Sequence, residues 1–534
     1  MTMPPYGQQP PTPGYGQPQP PQGYGQPQPP QGYGQAPFQG QQQPAQWGHQ
    51  PTPQAPRSNK ALKWGAFGAA GVLSLGLLGG GAVFAYSKIN GGGAQPEAAL
   101  PGNSIAFAKI DLDPSADQKL DGFRFIRKFP GAQDAVNGID ENGDLRKEIF
   151  ESLQDDGEFQ GVDYAQDVEP WLGQRIGMAV VPSADGGDPG VVMALASTDE
   201  DAATQGLAKM TGDGGYCSVQ PDFAICGDEQ SVVDKAVNDT KSGSLEDNDN
   251  FSQDMGDLGE DGIASAWLDG TQLGAFDSML GSGMTGKTQG QGRFAMALRF
   301  DGPTLELAGV ANALPQDAVP GGDGTAIGDL PTSTLAAFSM TGLDESLRKA
   351  WPDIDKSARE ALGDDWQEGL DSFTSETGLS VPEDVAKAVG SETTIALGPD
   401  ANEPKVALVT NGDRGVIDTL VSTVDSGSSY SSSGPQLSVK DAGDNRTVVA
   451  TNAGYADEIS NGSGLGDTDA FKDAVPDADK AGSVAYVDVS KIVETFGSEM
   501  DDETKANLAP LSAVGFSMSG EGDHADYRLR LTTK

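Results

Sequence analysis

Leu100–Leu112 reads LPGNSIAFAKIDL, and Leu330–Leu343 reads LPTSTLAAFSMTGL. Five more blocks of the first half return in the same order in the second. DVEPWLG from Asp167 is answered by DVAKAVG from Asp384, and PGVVMAL from Pro189 by PKVALVT from Pro404. DNFSQDM from Asp249 is matched by DAFKDAV from Asp469, and IASAWLDGTQL from Ile263 by SVAYVDVSKI from Ser483. The paired runs RFAMALRF and TLELAGV return as AVGFSMS and DYRLRL at the C-terminus. The offsets stay between 215 and 230 residues, the drift that loop insertions leave, so the chain carries a tandem duplication.

Within a copy, Ile105–Ile110, Ile176–Val181, Val191–Ala196, Phe294–Phe300 and Leu305–Val310 are short β-branched or alternating runs bounded by Gly, Pro and Asp, which predicts strands. Asp199–Met210 and Gln230–Asn238 have helical spacing of apolar residues and polar or acidic starts suited to capping. Strand pairs joined by short turns, without a regular βαβ cadence, predict a mainly antiparallel sheet with helices on one face. The fold class is therefore α+β, used twice, over residues 98–314 and 326–534.

One hairpin can be read residue by residue. In GYCSVQPDFAICGD, Gly215–Asp228, a turn at Pro221-Asp222 sets Val219 opposite Ala224 and Cys217 opposite Cys226. Directly opposed residues on paired strands have Cβ atoms about 4.5–5.5 Å apart, near disulfide range, so Cys217 and Cys226 are predicted to form a structural disulfide. The corresponding hairpin of the second copy, LSVKDAGDNRTVVA from Leu437, has no cysteine, which makes the bridge a local staple.

Outward from the duplicated body lies Trp64–Tyr86, WGAFGAAGVLSLGLLGGGAVFAY, without a charged residue. It exceeds the roughly 20 residues a helix needs to cross a bilayer, and is read as a transmembrane helix with Trp64 and Tyr86 at the interfaces. Arg57, Lys60 and Lys63 precede it and only Lys88 follows, so the positive-inside bias places residues 1–63 in the cytoplasm and the body outside. The tail repeats GYGQPQPPQ at Gly14 and Gly23, holds no acid, and cannot bury enough apolar surface to order itself. Residues 87–97, with three consecutive glycines, form a flexible linker. No Asp or Glu occurs before Glu97, so all 78 acids face 30 bases in the body. That surface repels nucleic acid and anionic headgroups. Both cysteines lie on the predicted outer side, where a disulfide persists.

Chemistry-bearing motifs are sparse. Gly281–Thr288, GSGMTGKT, satisfies the phosphate-loop pattern in letters but lacks the preceding strand and following helix that make such a loop work, and is read as a Gly-rich loop. Asp140, Asn142, Asp144 and Glu151 stand at positions 1, 3, 5 and 12 of a calcium-loop pattern whose sixth position is Leu145 instead of Gly, so an acidic loop entering a helix is preferred. The two histidines are His49, in the tail, and His524, too few for a histidine-based triad or zinc site. Trp171, Trp267, Trp351 and Trp366 are read as packing rather than a sugar platform.

The Pro-Gln-Gly-Tyr tail, the single span with its Gly-rich exit, Leu100–Ala116 (LPGNSIAFAKIDLDPSA) and Asp163–Val180 (DYAQDVEPWLGQRIGMAV) resemble a family of actinobacterial single-pass envelope proteins with an extracytoplasmic domain of unknown function. The resemblance implies a membrane-anchored extracytoplasmic body and brings no catalytic residue, cofactor or substrate. The expected function is binding or scaffolding in the cell envelope, without a cofactor. The bilayer and an envelope protein or cell-wall component are the expected partners, and nucleic acid is not. Two alternatives stand beside it: a carboxylate-based envelope hydrolase, and a single-span sensor signalling as a homodimer through Gly76 and Gly80.

Overall fold

The computed structural model describes residues 94–131, 144–183, 188–211, 215–275, 292–315, 324–401, 405–428, 437–462 and 464–534. The tail, the apolar stretch 64–86, the glycine loop Gly281–Thr288, and Asp140 and Asn142 lie outside the described residues. Among the described residues no helix is long and apolar enough to cross a membrane.

The first copy supplies eight strands: β1 Ala106–Asp111, β2 Leu172–Val181, β3 Gly190–Ser197, β4 Tyr216–Val219, β5 Phe223–Gly227, β6 Ala264–Asp269, β7 Arg293–Asp301 and β8 Thr304–Asn312. The second supplies β9 Ala336–Thr341, β10 Glu392–Gly398, β11 Lys405–Thr410, β12 Ser438–Asp441, β13 Thr447–Ala450, β14 Ser483–Asp488, β15 Leu511–Glu521 and β16 His524–Thr533. All sixteen lie in one sheet, in the order β12-β13-β11-β10-β9-β14-β15-β16-β8-β7-β6-β1-β2-β3-β5-β4. Read outward from its centre, each half has the same order, which establishes the duplication in three dimensions.

The halves join where β8 pairs with β16, antiparallel, from Thr304 opposite Thr532 to Ala311 opposite Ala525. Ala308 and Arg528 occupy equivalent places in the two copies and also face each other, so a pseudo-two-fold axis runs between them. Pairing of this kind removes the edge each copy would otherwise leave open. Charge locks the same seam: Arg530 donates to Glu306 at 3.0 Å and to Asp301 at 2.7 Å, and Glu306 also receives Arg299.

Alternation along each strand divides the sheet into two faces. On the first face, Phe107, Ala179, Val192, Ile225 and Trp267 pack against the helices Gln230–Thr240 and Asp249–Leu258 through Val233, Ala236, Phe251 and Leu258. The second copy repeats this with Ala337, Ala396, Ala407, Val448 and Tyr486 under the helices Ala453–Asn461 and Asp469–Ala474. The ring pairs correspond: Phe251 lies 5.6 Å from Trp267, and Phe471 lies 5.1 Å from Tyr486. Local signals start these helices as expected, with the Asn248, Asn452 and Thr468 side chains accepting from backbone amides three residues on.

The expectation of helices on one face alone is corrected. In the first copy the second face is covered too. Helix Ala116–Ile126 buries Phe125 and Ile126 against Leu112, Ile263 and Phe300, and its packing reaches Leu305 and Leu531 at the seam. Helix Glu200–Thr211 buries Ala203 and Leu207 against Leu195, Ala224, Cys226 and Trp171. The cause is visible in β2, whose Ile176–Val181 run, IGMAVV, is apolar at both parities and so requires cover on both sides.

Candidate binding face

Among the described residues the second copy is not covered in this way. On its second face, cross-strand register lines up Leu529, Phe516, Ala485, Phe338, Ile395 and Leu408 in one row over β16, β15, β14, β9, β10 and β11. A second row, two residues along each strand, consists of Leu531, Val514, Val487, Ala336, Leu397 and Val406. Neither row contains a polar or charged side chain, although the chain as a whole carries a formal charge of −44. Ile395 is 50% exposed, Phe338 40%, Val406 38% and Leu529 37%. Phe516, Ala485, Leu408, Val514 and Leu397 are half-buried. With strands about 4.8 Å apart, the strip is about 24 Å long across the six strands.

The chain segment that could cover this strip is built differently from its counterpart. After β9 the chain turns at Gly342, in a left-handed conformation, into helix Leu343–Leu362, and Gly363 leads into helix Asp364–Thr377. Leu343, Leu347, Trp351, Ile354 and Ala358 follow helical spacing, yet neither helix buries a single residue; Ile354 and Leu362 are exposed. Both pack on other helices of the same copy, with helix Glu383–Val389 running back to β10. Their shared base lies where β9 ends and β10 begins, held by Gly342 N–H donating to Ser391 C=O at 2.7 Å. These two helices carry ten acids and four bases. Each base is engaged with an acid of its own helix: Arg348 with Asp344, Lys349 with Glu345, Lys356 with Glu360 and Arg359 with Asp355. The base of this negatively charged pair therefore lies at the ends of β9 and β10, two of the strands that carry the uncharged apolar strip.

The residues singled out in the sequence fall elsewhere. Cys217 and Cys226 face each other in the β4–β5 hairpin, as the register predicted, and are joined by a disulfide with Cα atoms 4.1 Å apart. They sit at one outer edge of the sheet. Val439 and Val449 are paired at the matching place on the other edge. Asp144 caps helix Leu145–Asp155 and accepts from Arg146 and from the Tyr164 hydroxyl. Burial works to raise the Asp144 carboxyl, but the hydrogen bonds from Arg146 and Tyr164 outweigh it and hold it below the usual carboxylate range. Glu151 lies 3.6 Å from Lys147, on the exposed side of that helix. Among the described residues no group of three or more His, Cys, Asp or Glu side chains is placed to hold a metal ion.

His524 opens β16, its Nδ1 2.6 Å from Asn312 Oδ1 and its Nε2 3.2 Å from Asp526. Asn312 in turn donates to Asp254 at 2.8 Å, and the fully buried Asp254 also accepts from Trp267 Nε1 and, at both oxygens, from Arg293. The ring is thus tied into a hydrogen-bonded network that crosses the seam between copies. Trp171 and Trp267 are buried, whereas Trp351 and Trp366 are half-buried on the helical pair, their rings 6.1 Å apart.

Phe338, Ile395, Val406 and Leu529 were not singled out in the sequence. A signal exists between the first two strands of each copy. The first copy has the FRFI run, Phe123–Ile126, there, and the second has the charged stretch Leu343–Thr377 in its place.

A protein-family model described as "Protein of unknown function (DUF3352)" matches residues 67–220 and 216–427. The two matches meet at the disulfide-bearing hairpin, inside the first structural copy. No curated protein and no solved structure matches the chain.

Proposed function

The chain belongs to the DUF3352 family, and from that premise we propose that it is a membrane-anchored, extracytoplasmic binding or scaffolding protein of the cell envelope whose second copy holds a partner across the open strip. The observation that carries this reading is the contrast between the copies. One fold is used twice in one sheet, and among the described residues the first copy buries its second face while the second copy leaves Phe338, Ile395, Val406 and Leu529 exposed in two apolar rows. Contiguous exposed apolar surface in an otherwise highly charged chain is characteristic of an interaction site. Three features support the membrane anchor and the outer location: the uncharged stretch 64–86, the start of the first family match inside it at residue 67, and a disulfide, which persists in oxidising compartments.

The test is crosslinking in cells from a photoreactive residue placed at Ile395, with the exposed Asp201 of the first copy as control, in the intact chain and in a version lacking residues 1–56. A discrete envelope partner captured from Ile395 and not from Asp201 is expected, and its retention without the tail assigns binding to the body. Absence of any adduct from Ile395, or the same adducts from both positions, overturns the reading. Protease added outside spheroplasts should degrade the body; protection of the body would overturn the outer location.

A further inference from the structure

We infer that the occupant of the strip is a cationic amphipathic helix about sixteen residues long, contributed by another polypeptide. The inference rests on the proposed binding role of the strip and names the chemistry of the partner. Length comes first: about 24 Å across six strands corresponds to about sixteen residues of helix at 1.5 Å each. Shape agrees, because two parallel apolar rows accept the apolar stripe of one helix laid across them. Charge then selects among apolar occupants. The rows themselves carry none, while the helices Leu343–Leu362 and Asp364–Thr377 at the β9–β10 end hold ten acids against four bases, all four of them already engaged within their helices. A partner whose flanks are lysine or arginine meets that surplus favourably. A second copy of this chain would bring 78 acids of its own, and an anionic lipid surface would bring phosphates; both are repelled.

The experiment uses the full chain in neutral phosphatidylcholine nanodiscs and a fluorescein-labelled eighteen-residue Leu/Lys peptide with helical periodicity. A Leu/Glu peptide of the same pattern and empty nanodiscs serve as controls. Fluorescence anisotropy is expected to show the Leu/Lys peptide binding the loaded discs at least tenfold more tightly than empty ones, with no such gain for the Leu/Glu peptide. Phe338→Asp with Ile395→Asp should weaken binding at least tenfold. Asp344→Asn with Glu345→Gln and Glu376→Gln, the acids nearest the base of the helical pair, should weaken it severalfold at 50 mM salt and leave it unchanged at 500 mM, where the attraction is screened. Circular dichroism establishes that each variant is folded. Binding that survives Phe338→Asp with Ile395→Asp, or equal binding of the Leu/Glu peptide, overturns the inference. If neither peptide binds but crosslinking from Ile395 captures a partner, the strip is a binding site and only the occupant's chemistry is wrong. If both fail, the binding role falls as well.

Discussion

Gly309 sits on β8 directly opposite Tyr527 of β16, and a Cβ placed on it would lie 2.0 Å from Tyr527 Cζ. The pseudo-two-fold axis maps this pair onto Leu529 and Leu307, which also face each other. The two equivalent spots are therefore filled in different ways: one by two leucines, the other by an aromatic ring lying over a residue without a side chain. Burial of that ring raises the Tyr527 hydroxyl above its ordinary value. Gly309→Ala should destabilise the chain by about 2 kcal/mol, the usual scale of overpacking. In a Tyr527→Ala background the same change should cost less than about 0.5 kcal/mol, because the obstructing ring is gone. Urea unfolding of the four proteins checks this, and equal costs in both backgrounds would show that the ring is not what excludes the methyl group. Single residues also show where sequence reading stops. Phe107 and Phe338 stand in resembling blocks, yet Phe107 pairs with Trp267 on the covered face, whereas Ala337, not Phe338, faces Tyr486. A shift of one residue moves a side chain to the opposite face, and similarity of letters does not settle which parity applies.

Elements were more legible than single positions. The β4–β5 register and its disulfide followed from a turn dipeptide and two cysteines, because a hairpin is local and its pairing follows from the turn. The cover of each face was not legible, since it depends on helices that return from distant parts of the chain. The first of these elements, helix Pro96–Ala99, is pinned by one buried lysine. Lys109 Nζ of β1 donates to Gln95 at 3.3 Å, Glu97 at 2.9 Å and Asp261 at 2.6 Å. Burial works to lower its pKa, but Glu97 and then Asp261 more than offset this and leave it above the ordinary lysine value of 10.5. A raised folded-state value means that the stabilisation is fully present below 10.5 and is lost as pH rises through the folded value. The wild-type chain should therefore lose stability above pH 10.5 more steeply than Lys109→Met, which should already be weaker at neutral pH by about 3 kcal/mol, since Glu97 is left buried without its cation. Tyr486, whose hydroxyl is raised by burial and then by Asp488, adds to the alkaline loss in both proteins, so the difference between their curves isolates Lys109. Thermal unfolding from pH 7 to 12 gives both curves; parallel alkaline limbs would refute the assignment.

At the scale of the whole molecule the sheet is one object with two unlike halves. The duplication was readable because six blocks kept their order, but the merging of the copies into one sheet was not, since the β8–β16 seam pairs strands more than 200 residues apart and leaves no local mark. The unlike halves set up a stability contrast that sorts structural apolar residues from those kept for another purpose. On the covered face Phe107 is 3% exposed and in edge contact with Phe251, so Phe107→Ser should cost about 3–5 kcal/mol through the cavity and the buried hydroxyl. On the open strip Ile395 and Phe338 already meet water over about half of their surface. Ile395→Ser and Phe338→Ser should each cost less than about 1 kcal/mol, within the range of surface substitutions that leave the core intact. Urea midpoints of the three variants make the comparison in one chain and one solvent. A cost for Ile395→Ser comparable to that of Phe107→Ser would mean that the strip is structural, sealed by a segment of the chain itself. A small cost means that folding does not require these side chains, which is what the proposed binding role of two uncharged rows in a chain of charge −44 expects.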